Sequence, residues 1–390
     1  MQMSKLLKSV KWKHYINYIV IAIIGVFLTV QTMTSGLEKS TVYLVEKITI
    51  AVILAVSLNL VVGFLGELSL GHAGFMCVGA YLGGKCSAML KDALGVGPLN
   101  LIISLLVGGA IAALCGLVIG LPALRLKGDY LAIVTLGFGE IVKSIFQNTS
   151  TETFGGALGL DTPRYDKEHL FIFAFVLVLI TLAVIQNLMR SKHGRAITSI
   201  RDNEIAARAT GINVTRYKLM AFMVSAFFAG IAGVLYSFSN YKIQSSKFGY
   251  NYSIEILVMV VLGGIGSING SIIAATLITI INTKLATLLT GNLAVLQNLF
   301  YALILILIVI YGNAPALKGF REKHDIRKKL DHRSRKTNPA VIRDDTVKWA
   351  QIPTKIPMNE IFTADVTSPE STLNPDKKSD EPEKEDENHG

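Results

Sequence analysis

The stretch SIRDNEIAARATGINVTRYKLMAF, residues Ser199–Phe222, is a charged interruption between two long apolar runs. The chain has 390 residues, of which 51% are hydrophobic and 17% charged, and its mean hydropathy is +0.48. Apolar runs of membrane-spanning length recur through about the first four fifths of the sequence. Because a soluble domain rarely buries so many such runs, the composition predicts a membrane protein. The quoted stretch then lies outside the membrane, between two spans.

We predict an all-α, polytopic transmembrane bundle of about ten spans, some of them broken or re-entrant. At about 1.5 Å per residue, the longer runs cross a hydrocarbon core of about 30 Å. The two short runs, near Tyr130 and Ile254, are predicted to be tilted or broken. The candidate spans are Tyr15–Ser35, Val42–Val62, Ser69–Leu90, Leu99–Leu121, Tyr130–Gln147, Leu170–Met189, Lys218–Ser239, Ile254–Ile268, Ser271–Thr290 and Ala294–Tyr311.

The sequence also divides by composition. Residues 1–317 form the predicted transmembrane domain. Residues 318–390 begin with a basic stretch and end in a run rich in Pro, Asp and Glu, so they are predicted to form a disordered cytoplasmic tail. The basic N-terminus leads into a run that is long for a signal peptide, and we interpret it as an uncleaved first span.

The positions of the basic residues orient the chain. The formal net charge is +10, which in a membrane protein reflects Lys and Arg on the cytoplasmic face, and nucleic-acid binding is not expected. Basic clusters occur at the N-terminus and after the fourth, sixth and tenth predicted spans. An even number of predicted spans separates each basic cluster from the next, so all the clusters lie on the same, cytoplasmic side. This pattern predicts cytoplasmic N- and C-termini, and it places the loop at 148–169 outside. The clusters are Lys5, Lys8, Lys11 and Lys13; Arg125 and Lys127; Arg190, Lys192, Arg195, Arg201, Arg208 and Arg216; and Lys318, Arg321 and Lys323.

The quoted stretch predicts a short amphipathic helix. Ser199 and Asp202 have the spacing of a capping box, which favours a helix start at Ser199. Glu204 and Arg208 are a favourable i,i+4 pair, and Gly211 suits a helix end. The apolar face of this helix consists of Ile205, Ala209 and Ile212, with Ala206 and Ala207 forming a shallow surface beside it. Such a helix lies on the bilayer or docks into a groove of another protein, and a plain connecting loop is the alternative.

The stretch SKHGRAITSIRDNEIAARATGINVTRYKLMAF, residues 191–222, resembles the cytoplasmic coupling loop of branched-chain amino acid ABC transporter permeases, and more narrowly that of the M-type subunit. In Ala206–Gly211 the A-A-x-x-x-G part of the importer coupling motif is present, with the acidic residue displaced to Glu204. Three glycine-containing segments resemble the same family: SLNLVVG with GELSLGHAGF at 57–75, KGDYLAIVTLGFGE at 127–140, and GGIGSING at 263–270. The resemblance covers most of residues 40–312.

This resemblance implies a multi-pass permease subunit of the bacterial cytoplasmic membrane that forms half of an import pathway for Leu, Ile or Val. It implies a heterodimer with a second, related permease, two cytoplasmic ABC ATPases and an extracytoplasmic substrate-binding protein, all in contact with membrane lipid. Because the chain has no G-x-x-x-x-G-K-[ST] motif, ATP and Mg²⁺ are expected on the ATPases, and this chain is expected to bind no cofactor and to be no enzyme. The coupling loop spans about 190–217, and its candidate residues are Arg201, Asp202, Asn203, Glu204, Ala206, Ala207, Arg208 and Gly211.

Several polar residues in the apolar runs are candidates for the translocation path. Helix–helix hydrogen bonding is the alternative use of such residues. Glu67 and His72 lie near Cys77, but the spacing matches no standard metal-ligand set, so no metal site is predicted, and the three cysteines form no CxxC motif. The path candidates are Asn59, Ser69, His72, Thr135, Glu140 and Ser267.

Two rival functions follow from the same residues. One is an ABC permease of the same scaffold for another small solute, such as urea, a short amide, a sugar or a nucleoside. The other is an ion-coupled secondary transporter or channel that uses Glu140 or Glu255 as a proton or cation site, since carboxylates within membrane spans are often functional.

Overall fold

The structure is a computed structural model. It describes residues 16–35, 38–95, 97–124, 126, 128–163, 167–240, 242–288, 299, 302, 303 and 306. The last predicted span, at 294–311, lies almost wholly outside these residues, and the predicted tail at 318–390 lies outside them entirely.

The described part of the chain is predominantly α-helical, as predicted. One short antiparallel pair of strands joins two loops, with Leu160 opposite Ile243 and Asp161 opposite Lys242. The helices are α1 (Ile16–Ser35), α2 (Lys39–Asn59), α3 (His72–Leu94), α4 (Pro98–Ala123), α5 (Asp129–Asn148), α6 (Thr151–Phe154), α7 (Lys167–Arg190), α8 (Lys192–Asp202), α9 (Glu204–Ala209), α10 (Val214–Ser239), α11 (Tyr250–Gly263) and α12 (Ile268–Leu288), and the strands are β1 (Leu160–Asp161) and β2 (Lys242–Ile243).

Five described helices are long and apolar enough to cross a membrane. They are α2 with its extension to Leu65, α4, the part of α7 from Leu170, α10 and α12. Four other helices, α1, α3, α5 and α11, coincide with further predicted spans but do not meet the same standard of length and hydropathy over described residues. The multi-span helical architecture is therefore confirmed, whereas the number ten stays a prediction.

The core is built around α10, which packs against α3 and α4. Small residues let the helix backbones approach closely at these crossings. A Cβ atom added to Gly79 of α3 would lie 2.2 Å from the carbonyl oxygen of Gly230 in α10. Since no side chain fits that distance, this helix pair depends on glycine.

Two of the predicted spans contain a helix break, and both breaks correct predicted span limits. After Asn59 the chain forms one π-helical segment, Leu60–Leu65, that ends at Gly66 with φ +81°. The next helix begins only at His72, so the predicted start of that span at Ser69 is wrong. A glycine with positive φ ends a helix readily because no Cβ atom is strained there.

The second break lies inside the span predicted at Ile254–Ile268. Its helix, α11, ends at Gly263, and Gly264 and Gly266 have φ values of +93° and +79°. The prediction of a broken segment here is confirmed, and the span end at Ile268 is wrong because the positive-φ glycines stop the helix earlier. The other short run, near Tyr130, is one continuous helix, α5.

Candidate functional site: the coupling helices and the Lys218 cluster

The predicted coupling loop contains two short helices, α8 and α9. Ser191 caps α8 and accepts hydrogen bonds from the backbone N–H groups of His193 and Gly194, at 3.1 and 3.4 Å. The predicted helix start at Ser199 is wrong, because Ser199 lies inside α8 and its hydroxyl donates to the carbonyl of Ala196 at 2.8 Å. The capping spacing is present at Ser199, but the chain already enters the helix at Ser191.

A second cap starts α9. The side-chain oxygen of Asn203 accepts a hydrogen bond from the N–H of Ala206 at 3.0 Å. At the other end, Gly211 has φ +85°, and its N–H donates to the carbonyl of Arg208 at 3.0 Å. The N–H of Ile212 donates to the carbonyl of Ala207 at 3.1 Å, which completes a Schellman motif. Gly211 is therefore the helix stop that the sequence predicted.

The exposed side of α9 is apolar at its centre. Ile205 is 81% exposed, and Ala206 and Ala209 are exposed as well. Ala207 is only 3% exposed and packs against the core of the chain, so the prediction that it contributes to an open shallow surface is wrong. Ile205 and the exposed alanines beside it form a small apolar surface that a groove of a partner protein or a bilayer can cover.

A buried lysine joins α9 to the first helix break. The side chain of Lys218, in α10, is 5% exposed. Its ammonium donates hydrogen bonds to Glu67, in the linker after Gly66, and to Glu204, the first residue of α9, the latter at 3.1 Å. Glu204 also accepts a hydrogen bond from Arg208 at 3.0 Å, which confirms the predicted i,i+4 pair. We call Lys218, Glu67 and Glu204 the Lys218 cluster.

A second connection runs from α8 to the same break. One guanidinium nitrogen of Arg201 donates to the carbonyl of Gly63 in the π-helical segment at 3.2 Å. Two other nitrogens of Arg201 bond one carboxylate oxygen of Asp202, at 3.0 and 2.9 Å. A Cβ atom on Gly66 would lie 2.6 Å from Cγ of Arg201, so the arginine fits only because that position is glycine.

The coupling helices and the break enclose one cavity. Its volume is about 490 Å³, and the described residues that line it come from the linker after the π-helical segment, the start of α5, the end of α8, the start of α9 and α10. Among the described residues, no group of three His, Cys, Asp or Glu side chains is placed to hold a metal ion. The lining residues are Leu65, Gly66, Glu67, Leu68, Gly128, Asp129, Ile200, Arg201, Asp202, Asn203, Glu204 and Lys218.

Sequence reasoning noted Glu67 and Glu204 but missed Lys218. The lysine lies in the second turn of an apolar helix, where it is typical of a flanking residue that reaches toward the membrane surface. Its burial was the missing information, because a buried ammonium needs anionic partners. One partner, Glu67, is 151 residues away in sequence, so no local pattern pairs them.

Two of the path candidates lie at the helix breaks, and one of them, Asn59, connects the two breaks. The amide nitrogen of Asn59 donates to the hydroxyl of Ser271 at 3.0 Å, and its amide oxygen accepts from the N–H of Gly266 at 3.0 Å. The hydroxyl of Ser267 accepts from the N–H of Gly270 at 3.1 Å. Both residues therefore lie at the junction of the two breaks.

The other four candidates lie around α3 and α5. His72 is 2% exposed, and its Nε2 is 2.8 Å from the hydroxyl of Ser57, so the histidine is satisfied between helices. Thr135 accepts from the N–H of Leu70 at 3.0 Å, and the nearby Ser69 is buried. Glu140 pairs with Lys143 at 2.7 Å and accepts from the N–H at the start of α11 at 2.8 Å. Contact of these six residues with a solute stays a prediction.

Comparison with known proteins identifies the family to which the chain is similar. The sequence model of the permease component of branched-chain amino acid transport systems matches residues 40–311. The high-affinity branched-chain amino acid transport system permease protein LivM of Salmonella typhimurium is 36% identical over 289 residues, which are 64% of this chain and 66% of the relative. LivM of Escherichia coli is 36% identical over 301 residues, 67% of this chain and 69% of the relative.

A third relative is more distant. The probable branched-chain amino acid transport permease protein LivM of Methanocaldococcus jannaschii is 28% identical over 253 residues, which are 56% of this chain and 73% of that protein. The chain spans about two thirds of the length of the two bacterial relatives. No solved structure matches the chain.

These matches agree with the structure. The matched region contains the apolar helices α4, α7, α10 and α12, the coupling helices and the Lys218 cluster. The relatives at 36% identity are named as branched-chain amino acid transport permeases. The chain therefore belongs to the family of permease components of branched-chain amino acid transport systems, and it is a multi-pass membrane transport subunit rather than an enzyme.

Proposed function

We propose that the chain forms one half of the translocation pathway of an ATP-driven importer of Leu, Ile and Val, and that a separate ATPase holds it at α8 and α9. The observation that carries this proposal is the Lys218 cluster, which connects the exposed helix α9 to the helix break at Gly66. Family membership supports the cargo and the use of ATP, and the exposure of Ile205 supports docking at α9.

The proposed mechanism follows from the contacts. Breaking a buried ion pair by removing one partner costs about 3–5 kcal/mol, so a displacement of α9 moves Glu204, Lys218 and Glu67 together rather than separating them. Arg201 carries the movement of α8 to Gly63 in the same way. The positive-φ glycines at the two breaks allow the backbone to bend there with little strain. Closure of the ATPases would thus change whether the translocation pathway is open at the inner end of the helices.

The partners belong to the same proposal. The full assembly contains a second, related permease as heterodimer partner, two cytoplasmic ABC ATPases that bind ATP and Mg²⁺, and an extracytoplasmic substrate-binding protein. The chain has about ten spans in a bacterial cytoplasmic membrane, with cytoplasmic N- and C-termini. The distribution of basic residues supports this orientation, and the names of the relatives support the cargo.

The experiment is purification of the assembled importer through this chain, followed by reconstitution in proteoliposomes. The wild-type chain should retain the ATPase and take up L-leucine only with ATP. Ile205→Asp places a charge at the centre of the docking surface, so it should reduce ATPase co-purification and uptake at least tenfold. Leu158→Asp is the matched control, because Leu158 is also exposed, at 67%, but lies in the loop after α6. This variant should retain the ATPase. Equal ATPase recovery with both variants would contradict docking at α9.

A further inference from the structure

A second cavity lies at the opposite end of the bundle. Its volume is about 290 Å³, close to the lower end of the range of about 300–1,000 Å³ for small-molecule sites. It lies between the start of α2, the end of α10, the loop before α11, and helices α11 and α12. Since α10 is 26 residues long, this end is about 39 Å from the coupling helices. None of the six path candidates lines it.

The described lining contains three charged side chains, Lys47, Lys247 and Glu255. Lys47 lies within electrostatic range of both of the others, and its ammonium is 4.6 Å from the ring centroid of Tyr43. The amide of Asn282 donates to one carboxylate oxygen of Glu255 at 2.9 Å, which orients that side chain. Lys47 is half-buried, and Lys247 is exposed at the edge of the cavity. The two lysines repel each other, and a carboxylate placed between them offsets that repulsion.

The lining contains a buried hydroxyl to which a ligand can hydrogen-bond. Thr279 of α12 lines the cavity and is 7% exposed. Its hydroxyl has no hydrogen-bond partner among the described residues. An unsatisfied buried hydroxyl costs about 1–3 kcal/mol, and a polar group of a bound molecule or an ordered water would remove that cost.

The rest of the lining is largely apolar and aromatic. It suits a molecule with a charged head and an aliphatic tail, because the tail can be removed from water against these side chains. A sugar or urea has no formal charge to place beside the lysines or the carboxylate. The apolar and aromatic lining residues include Ile50, Ala51, Met76, Met259, Tyr236 and Phe248.

We propose that this cavity binds an aliphatic α-amino acid as its zwitterion. The carboxylate of the amino acid lies at Lys47 and Lys247, its ammonium group lies at Glu255, and its side chain packs against the apolar wall. The proposal rests on the proposed import function and extends it, because it places recognition of the cargo in the permease itself, in addition to the substrate-binding protein.

The test measures protection of a cysteine at the cavity mouth in the assembled importer. The three native cysteines are replaced by alanine, and Ala286→Cys, which lies in the exposed part of the lining, is labelled with a charged thiol reagent. L-Leucine should slow labelling at least tenfold. Isocaproate, which lacks the amine, isoamylamine, which lacks the carboxylate, and fructose should not. Leu288→Cys, two residues further on and outside the lining, is the control and should show no protection.

Charge variants complete the test. Glu255→Gln should abolish protection by L-leucine, whereas Lys242→Gln, which changes an exposed lysine outside the lining, should leave it intact. ATP-driven uptake without protection of Ala286→Cys would overturn the cavity proposal and leave the proposed import function standing. A wild-type importer that takes up no branched-chain amino acid would overturn both.

Discussion

The Lys218 cluster provides a direct test of the connection between α9 and the helix break at Gly66. Lys218→Met keeps an unbranched side chain but removes the ammonium that holds Glu67 and Glu204. The two carboxylates then face each other without a cation. We expect a large loss of stability from this change, and we expect part of it to return when Glu67 is also neutralised by Glu67→Gln.

The magnitude follows from burial and distance. Removing one partner of a buried ion pair costs about 3–5 kcal/mol, and the side chain of Lys218 is 5% exposed. Two oxygens bonded to one nitrogen lie within about 6 Å of each other, so with an effective dielectric constant of about 20 their carboxylates repel by about 3 kcal/mol. The second substitution removes this repulsion. The double variant should therefore regain about 2–3 kcal/mol, or about 5 °C at roughly 2 °C per kcal/mol for a large domain.

The assay is thermal unfolding of the full chain in one detergent at one heating rate. The expected order of melting temperature is wild type, then Lys218→Met with Glu67→Gln, then Lys218→Met alone. Arg208→Met is the control, because that arginine side chain is 70% exposed and its pair contributes about 0–1 kcal/mol. A double variant that melts at or below the temperature of Lys218→Met would refute the ion-pair reasoning.

Three further substitutions test the packing and the backbone. Gly79→Val should prevent the close contact of α3 with Gly230 and abolish accumulation of folded protein in membranes, whereas Gly137→Val should not, because a Cβ atom at Gly137 meets nothing within 4 Å. Gly211→Ala should lower the free energy of unfolding by about 1–2 kcal/mol, since the φ of Gly211 is +85° and the left-handed conformation strains a side chain. An unchanged melting temperature would contradict the helix-end assignment. Asn59→Ala should lower the free energy of unfolding by about 1–3 kcal/mol, because it leaves the part-buried N–H of Gly266 without its acceptor. Hydrogen exchange at Gly266 should rise, and slow exchange there would show that the bond is not needed.

Much of the helical architecture could be predicted from the sequence, because apolar runs of spanning length have few alternatives to helix in a membrane. The helix ends were less predictable. The apolar surroundings of Ser69 favour helix, yet the chain is not helical from Gly66 to Gly71. Gly66 stops one helix, and the next begins only at His72. At Ser199 a local capping pattern was present, but Ser191 had already capped the helix.

The candidate site was predictable in position but not in geometry. The charged interruption and its resemblance located α9, and the Glu204–Arg208 pair and the Gly211 stop followed from spacing alone. The inward orientation of Ala207 depends on how α9 packs on the core. The partnership of Lys218 with Glu67 joins residues far apart in sequence, and only tertiary packing brings them together.

The most direct test of the account is a photocrosslinking measurement on the assembled importer in its membrane. A photoreactive amino acid at position 205, on the exposed side of α9, should form a covalent adduct with the ATPase. The same amino acid at position 133, on the exposed face of α5, should form none. An intact complex in which position 205 yields no ATPase adduct would contradict the claim that the ATPase holds this helix.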